Sequence, residues 1–389
     1  MLEAINIFKN AVNELHGKGS YKTERIITTR QGRLIKTADG REAINFCANN
    51  YLGLGGSDFM VEEAKKGLEK YGFGLNSVRF ICGTQDIHRE LEKKIASFTG
   101  TEDAVLYSSA FDANGGLFET LLSDQDVIIS DELNHASIID GIRLCKASRK
   151  IFRHNDMNSL EDALKESGSY RIRLIAMDGV FSMDGDIAGL NYVVCLAEKY
   201  NALVMIDDSH AVGVIGARGR GTAEAKNVFG KIDIITGTFG KALGGASGGF
   251  TACRKEIAEL LRNKSRPYLF SNSLAPCIVY SEIKALEKLE HDTGLLGRLN
   301  ENTGYFRSKI TQCGFEVCPG THPIVPVMIY HEKKALQTAN ALLEHGIYVI
   351  GFCYPVVPQG KARIRVQISA VHTRQDLDDC LQAFKKCVL

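Results

Sequence analysis

The chain has no long apolar run, no paired-cysteine motif, almost no net charge and no nucleotide-loop spacing, and each absence removes a class of protein. No stretch approaches the roughly 20 consecutive apolar residues of a transmembrane helix. The N-terminal MLEAINIFKNAVNELHG places Leu2, Ile5, Phe8, Val12 and Leu15 at helical spacing between Glu3, Lys9 and Glu14. It reads as an amphipathic helix without the apolar centre of a signal peptide. Eleven cysteines, odd in number and without a CxxC pair, make neither a disulfide framework nor a zinc site. Reduced, mostly buried thiols and a cytoplasmic location are the expectation. A formal net charge of +1 gives no global field for nucleic acid or an anionic membrane. The clusters Arg254, Lys255, Arg262, Lys264, Arg266 and Lys22, Arg25, Arg30, Arg33 read as solvated surface. A Walker A loop ending at Lys241 would need glycine where Ile235 stands and a hydroxyl where Ala242 stands, and GFGLNS and GARGRG miss the dinucleotide spacing.

What is present is an ordinary globular composition, 44% hydrophobic and 24% charged, on 389 residues, long enough for two cores. Between residues 100 and 250 the short apolar runs DAVLYSS, DVIIS, RLIAM, ALVMI and DIITG alternate with helical patterns such as 113–122 and 190–200. That alternation predicts an α/β unit with a mostly parallel sheet buried on both faces. Charged helix follows near 285–300. Beyond it lie PIVPVMIY, KKALQTANALLEHG, ARIRVQI and TRQDLDDCLQAFKKC, the pattern of a smaller α+β unit. The predicted division is an N-terminal helix and arm over 1–45, a large α/β domain over 46–285 and a small C-terminal domain over 286–389.

In α/β sheets ligands collect outside the carboxyl ends of the strands. There ALVMIDDSHAVG closes on Asp207 with His210 three residues on, RLIAMDGVFSMDG leads to Ser182, DVIISDELNHAS to His135, and DIITGTFGK to Thr238 and Lys241. Pyridoxal 5′-phosphate needs a Schiff-base lysine, an acidic partner for its ring nitrogen and a phosphate cradle. Lys241, Asp207 and the turn SSAFDANGG can supply these, because Ala110 and Phe111 open a helix whose first amides are free. Ser271 and Thr238 are candidate hydroxyl donors. In ARIRVQI the apolar Ala362, Ile364, Val366 and Ile368 alternate with Arg363, Arg365 and Gln367, so a strand would bury one face and present both arginines on the other.

Over essentially its whole length the chain resembles the α-oxoamine synthases, a family of fold-type-I pyridoxal-phosphate enzymes. The resemblance is carried by INFCANNYLGL, SVRFICGTQDIHRELE, SSAFDANGGLFETLL, DELNHASIIDGIRLCKA, DGVFSMDGDIA, IDDSHAVGVIG, TGTFGKALGGASGG, RPYLFSNSLAP and GFCYPVVPQGKARIRVQISA. It implies an acyltransferase condensing glycine with acetyl-CoA to 2-amino-3-oxobutanoate and CoA, with the reverse cleavage serving threonine breakdown. By motif matching it implies Lys241 as the Schiff-base lysine, Asp207 as the pyridinium partner and His135 as the residue stacked on the ring. His210 and Ser182 would bound the phenolate side, Ala110, Phe111 and Thr238 the phosphate, and Arg365 the amino-acid carboxylate. Asn49 and Arg25 would lie on the substrate side. Ser271 would reach the cofactor of a neighbouring subunit, making a homodimer with shared sites. Two rivals stay open: a sister enzyme joining another amino acid to a longer acyl chain, and a non-catalytic binding subunit on the same fold.

Overall fold

The computed structural model describes residues 2–17 and 21–388. Its strands, in chain order, are β1 (Leu34–Lys36), β2 (Glu42–Asn45), β3 (Asp103–Tyr107), β4 (Val127–Asp131), β5 (Ser148–Phe152), β6 (Arg173–Asp178), β7 (Leu203–Asp207), β8 (Ile234–Thr238), β9 (Gly249–Cys253), β10 (Ile324–Tyr330), β11 (Ile347–Tyr348), β12 (Gly351–Phe352) and β13 (Ala362–Gln367). Seven of them form one sheet in the order β3-β9-β8-β7-β6-β4-β5. The pairs β5/β4, β4/β6, β6/β7 and β7/β8 are parallel, while β9 runs antiparallel to both of its neighbours, β8 and β3.

Side chains alternate across this sheet into two cores. Val127, Ile129, Ile175, Met177, Val204 and Ile206 enter one cluster, and Ile128, Leu174, Ala176 and Met205 the other. The period of two explains why these strands read as unbroken apolar runs: both faces are covered by helices. The first cluster packs under helices Met157–Lys165 and Leu190–Tyr200, and the second under Ala136–Leu144 and Lys255–Lys264. Truncating one such residue, Ile206→Ala for instance, removes a fully buried side chain at a cost of about 2–5 kcal/mol.

The predicted runs all form strands. The sheet also contains β5 and β9, which apolar patterning does not single out: Ser148–Phe152 is half exposed, and Gly249–Cys253 carries two small polar or glycine positions. The single helix expected over 113–122 is two short ones, Ala110–Gly115 and Phe118–Leu121, separated at Gly116, where Ser265 and Pro267 crowd the backbone. The N-terminal helix is Leu2–Gly17, and its apolar residues Ile5, Phe8, Val12 and Leu15 are exposed.

Towards the C-terminus, helices Pro276–His291 and Gly294–Gln312 lead into a second sheet, β10-β13-β12, all antiparallel. Helices Glu332–Glu344 and Arg374–Val388 follow the strands β10 and β13. A third sheet, β1-β2-β11, ties the arm before residue 46 to Ile347–Tyr348. One apolar cluster runs from Phe46 and Tyr51 through Phe239 and Phe250 to Val325, Ile364 and Phe384.

Candidate active site

A cavity of ≈ 250 Å³ opens where β6, β7 and β8 end, and eight of the residues singled out by sequence line it: Ala110, Phe111, His135, Ser182, Asp207, His210, Thr238 and Lys241. Ser109, Ser137, Asp178, Val180 and Ser209 complete its wall.

Asp207, the last residue of β7, is buried. Its Oδ2 accepts from Asn114 Nδ2 at 2.6 Å and its Oδ1 from the Ser209 amide at 2.9 Å, an arrangement that suits an anion. Asn114 also donates to Ser137 Oγ at 2.9 Å. Ser137 in turn contacts His135 Nδ1 through Oγ at 2.7 Å and through its amide at 3.3 Å. Asn114 therefore sets the carboxylate and the imidazole against one another. With both Ser137 groups donating to Nδ1, His135 presents Nε2–H elsewhere. The ring is exposed to the open cavity, yet loss of solvation is the leading reason its pKa falls, with Lys241 adding to it and Asp207 opposing. His135 is also held by its backbone, whose N–H donates to Asp178 Oδ2 at 2.9 Å.

Lys241 follows β8 on a turn built by Thr238, whose Oγ1 accepts from the Gly240 amide at 3.0 Å and donates to the Gly248 carbonyl at 3.2 Å. Its ammonium donates no hydrogen bond and makes no ion pair among the described residues. Burial lowers its pKa from the ordinary 10.5 to about 8; Asp207 and Asp178 oppose the shift and Arg365 adds to it. The glycines around it answer to close approach. A Cβ on Gly249 would lie 2.3 Å from the Ala110 amide nitrogen and 2.4 Å from Ser109 C, so only glycine lets β9 pass beneath the turn carrying Ala110 and Phe111. Ser109 caps that turn, accepting from the Asp112 amide at 3.0 Å.

Arg365 is buried on β13, donates to the Ser182 carbonyl at 3.0 Å and lies 4.6 Å from the Phe352 ring centroid. Against the expectation of one buried face, every residue of β13 is buried, so the arginine side is enclosed too. The two arginines differ in partner: Arg363 forms an ion pair with Asp184 and donates to the Met183 carbonyl at 3.0 Å, whereas Arg365 has no carboxylate partner among the described residues. Asn49 lines an adjoining cleft that Lys241 also borders, with its side-chain amide 3.1 Å from that of Gln367. Arg25 stands apart from the cavity wall, donating to the Val349 carbonyl at 3.0 Å and to Asn340 Oδ1 at 2.7 Å. Ser271 lines a different crevice, with Arg79, Tyr107 and Ser108.

Four residues that sequence reasoning missed belong to the site: Asn114, Ser137, Asp178 and Ser209. Asp178 carried a signal, since it closes an apolar run as Asp207 does, and the two are register partners on β6 and β7. Full burial, and then Asp207, raises its carboxyl well above the usual range. Ser209 Oγ is buried without a partner among the described residues. Asn114 sits within DANGG, where nothing distinguishes it from a turn residue.

A fold with this strand order and a strand-end lysine–aspartate pair defines a class, and the chain belongs to the aminotransferase class I and II family, whose model matches residues 41–384. More particularly, it is 57% identical over 379 residues to the 2-amino-3-ketobutyrate coenzyme A ligase of Escherichia coli K12, covering 97% of this chain and 95% of the relative. The mitochondrial protein of the same name from Homo sapiens is 52% identical over 380 residues, 97% of this chain and 90% of the relative. Among solved structures, Sphingomonas wittichii serine palmitoyltransferase superposes with a TM-score of 0.93 at 29% identity, covering 100% of this chain and 98% of that one. A structure described as SPT with PLP internal aldimine gives 0.93 at 31% identity, again over 100% and 98%. The fold is that of the fold-type-I transferases, as the sequence motifs implied.

Proposed function

We propose that this cavity condenses glycine with acetyl-CoA to 2-amino-3-oxobutanoate and CoA, and runs the reverse cleavage in threonine catabolism. The chain is a pyridoxal-phosphate-dependent acyltransferase. The observation that carries the reading is that Lys241, Asp207 and His135 converge on one cavity beside an arginine that has no carboxylate partner among the described residues.

The residues present fit the cofactor. Ser209 Oγ is a buried polar atom without a partner among the described residues, and Gly249 lets β9 pass close beneath the Ser109–Phe111 turn that opens a helix. When bound, pyridoxal phosphate supplies a ring that draws electron density from the amino-acid α-carbon.

The chain's own groups do the rest. Lys241 would hold the cofactor covalently until the glycine amine takes its place, and the freed Lys241 amine, depressed to about 8, would then remove the glycine Cα proton and carry it. Asp207 would keep a proton on the ring nitrogen, which is why its two oxygens are fixed by Asn114 and Ser209. His135 would stack on the ring, with His210 and Ser182 at its phenolate side and Ala110, Phe111 and Thr238 at the phosphate. Arg365 would take the glycine carboxylate bidentately, a task for which Arg363 is already neutralised by Asp184. Asn49 and Arg25 would lie on the substrate side.

The active unit on this reading is a homodimer in which the partner's Ser271 completes the phosphate site. Two facts support it: Ser271 lies away from its own chain's cavity, and Phe73, Phe80, Ile81 and Phe270 are exposed in the neighbouring stretches of chain. Eleven unpaired cysteines suit the reducing cytoplasm.

The test mixes purified, cofactor-loaded protein with glycine and acetyl-CoA and follows free thiol and aminoketone. Turnover should require both substrates; turnover confined to alanine with a pimeloyl thioester would overturn the assignment.

A further inference from the structure

His154 follows the edge strand β5 and has a carboxylate on each ring nitrogen. Its Nδ1 lies 3.0 Å from Asp131 Oδ1 and its Nε2 lies 2.9 Å from Asp186 Oδ2. An ionised carboxylate only accepts, so with one on either side both nitrogens carry hydrogen and the ring is an imidazolium. Burial works against that charge, yet the hydrogen bonds to Asp131 and Asp186 outweigh it and push the pKa from 6.5 up to about 10. The other charged groups beside it are engaged elsewhere: Glu132 accepts from the His154 backbone N–H at 2.8 Å, and Arg153 pairs with Asp156.

The two carboxylates belong to different walls of the cavity. Asp131 ends β4 and opens the turn that carries His135; its Oδ1 also accepts from the Leu133 amide at 2.9 Å and its Oδ2 from the Asn155 amide at 2.9 Å. Asp186 closes the loop that carries Ser182. There Val180 bridges Ile187 and the Phe181 amide donates to the Asp186 carbonyl at 3.1 Å, so Phe181 and Asp186 form the base of the loop and 182–185 its tip. His154 holds both sides of that base, because the Phe181 ring lies edge-on to the imidazole with 4.3 Å between centroids. Next in the chain, Asn155 Oδ1 accepts from the Gly189 amide at 3.0 Å, just beyond the loop. The tip is held from the opposite side by β13, through Arg365 on the Ser182 carbonyl and Arg363 on Asp184 and the Met183 carbonyl.

We propose that His154 is a positioning residue for the amino-acid site: as an imidazolium between Asp131 and Asp186 it ties the Ser182 loop to the turn carrying His135, and so sets where the Ser182 carbonyl meets Arg365. It is not part of the cavity wall and acts through the loop. Without the charge, Asp131 and Asp186 lose the cation they share, and the base of the loop can shift while its tip stays on β13. The charge persists through neutral pH and is lost as pH rises through about 10. The inference rests on the reading that Arg365 takes the glycine carboxylate.

The experiment begins with ¹⁵N-histidine-labelled full-length protein, without and with cofactor, and long-range ¹H–¹⁵N correlation, with His154 assigned by its absence in His154→Gln. At pH about 8.5 the wild-type ring should carry hydrogen on both nitrogens, since its midpoint lies near 10; a neutral ring there overturns the proposal. Asp186→Asn keeps the shape of the partner and removes its charge, so the His154 midpoint should fall by about 1–3 pH units. Glycine affinity is read by spectral titration of cofactor-loaded protein. In Asp186→Asn it should gain a decline, absent from wild type, centred on the lowered His154 midpoint, a coupling that a purely structural role would not produce. Affinity indifferent to that midpoint overturns the proposal. His154→Gln should weaken glycine about tenfold, the low end for a lost hydrogen bond to a charged group, while kcat at saturating glycine holds. Unchanged affinity, or a loss confined to kcat, overturns it, and if His154→Gln does not fold, Asp186→Asn decides. Arg365→Lys separates the two readings. If it leaves glycine affinity unaltered, the carboxylate assignment fails; if it weakens glycine while Asp186→Asn shows no coupling, the His154 tie alone fails.

Discussion

Lys241 offers the most direct quantitative test, because its environment changes a number that a bystander lysine would keep. Lost solvation outweighs the attraction of Asp207 and brings its pKa from 10.5 to about 8. At pH 7.5 an amine of pKa about 8 is about one quarter neutral, whereas one of pKa 10.5 is about a thousandth neutral, so the reactive form is enriched about 200-fold. The assay is acetylation of cofactor-free protein with acetic anhydride from pH 6.5 to 10, scored peptide by peptide by mass spectrometry. Access affects the plateau rate but not the midpoint. The Lys241 peptide should rise through a midpoint near 8 while exposed lysines continue to rise above 10. Asp207 stabilises the charged ammonium, so Asp207→Asn should move the Lys241 midpoint further down. A midpoint near 10.5, or an upward shift in Asp207→Asn, would refute the argument that burial poises this amine.

Further outcomes follow from the same geometry. Asp207→Asn should retain some cofactor but slow exchange of the glycine Cα proton, followed by NMR in D₂O, by about 10²–10⁴; unchanged exchange would sink the assignment. Arg365→Lys should weaken glycine by about 1.5–3 kcal/mol in a spectral titration while cofactor affinity holds, and an unaltered titration would shift the role to Arg363 despite its Asp184 partner. Gly249→Ala places a methyl against the Ser109–Ala110 backbone and should cost about 1–3 kcal/mol of cofactor affinity by equilibrium dialysis; wild-type affinity would mean the turn does not hold the phosphate. Mixing inactive Lys241→Ala and Ser271→Trp chains should restore part of the activity, since one site of each mixed dimer is then intact. No recovery in verified heterodimers would return Ser271 to its own chain.

The large sheet was legible because covering both faces forces unbroken apolar runs, and β4, β6 and β7 have them. The two strands without such runs were hidden for a physical reason. β5 lies at the sheet edge, where side chains such as Ile151 stay exposed, and β9 gives up side-chain bulk at Gly249 to pass beneath a turn. The site was legible where chemistry needs a special side chain at a strand end, as at Asp207, Thr238 and Lys241. It was illegible where a residue works by orienting another. Asn114 reads as part of a turn, and only the fold brings it within 2.6 Å of Asp207 and 2.9 Å of Ser137.

The arginine strand shows how structure separates what periodicity leaves equal. Alternation puts Arg363 and Arg365 on one face of β13, and both are buried there. Burying a guanidinium without a counter-charge is costly. Asp184 meets that cost for Arg363, while among the described residues Arg365 has neutral acceptors alone, the Ser182 carbonyl and the Gln367 amide. The missing negative charge is what a glycine carboxylate would bring. The paired strand ends follow the same rule: Asp207 has two donors and Asp178 one, in full burial that favours the protonated acid. On the proposed reading, a carboxylate held by two donors would face the ring nitrogen and a guanidinium without a carboxylate partner among the described residues would face the amino-acid carboxylate, a polarity that suits an amino acid held on a pyridine ring.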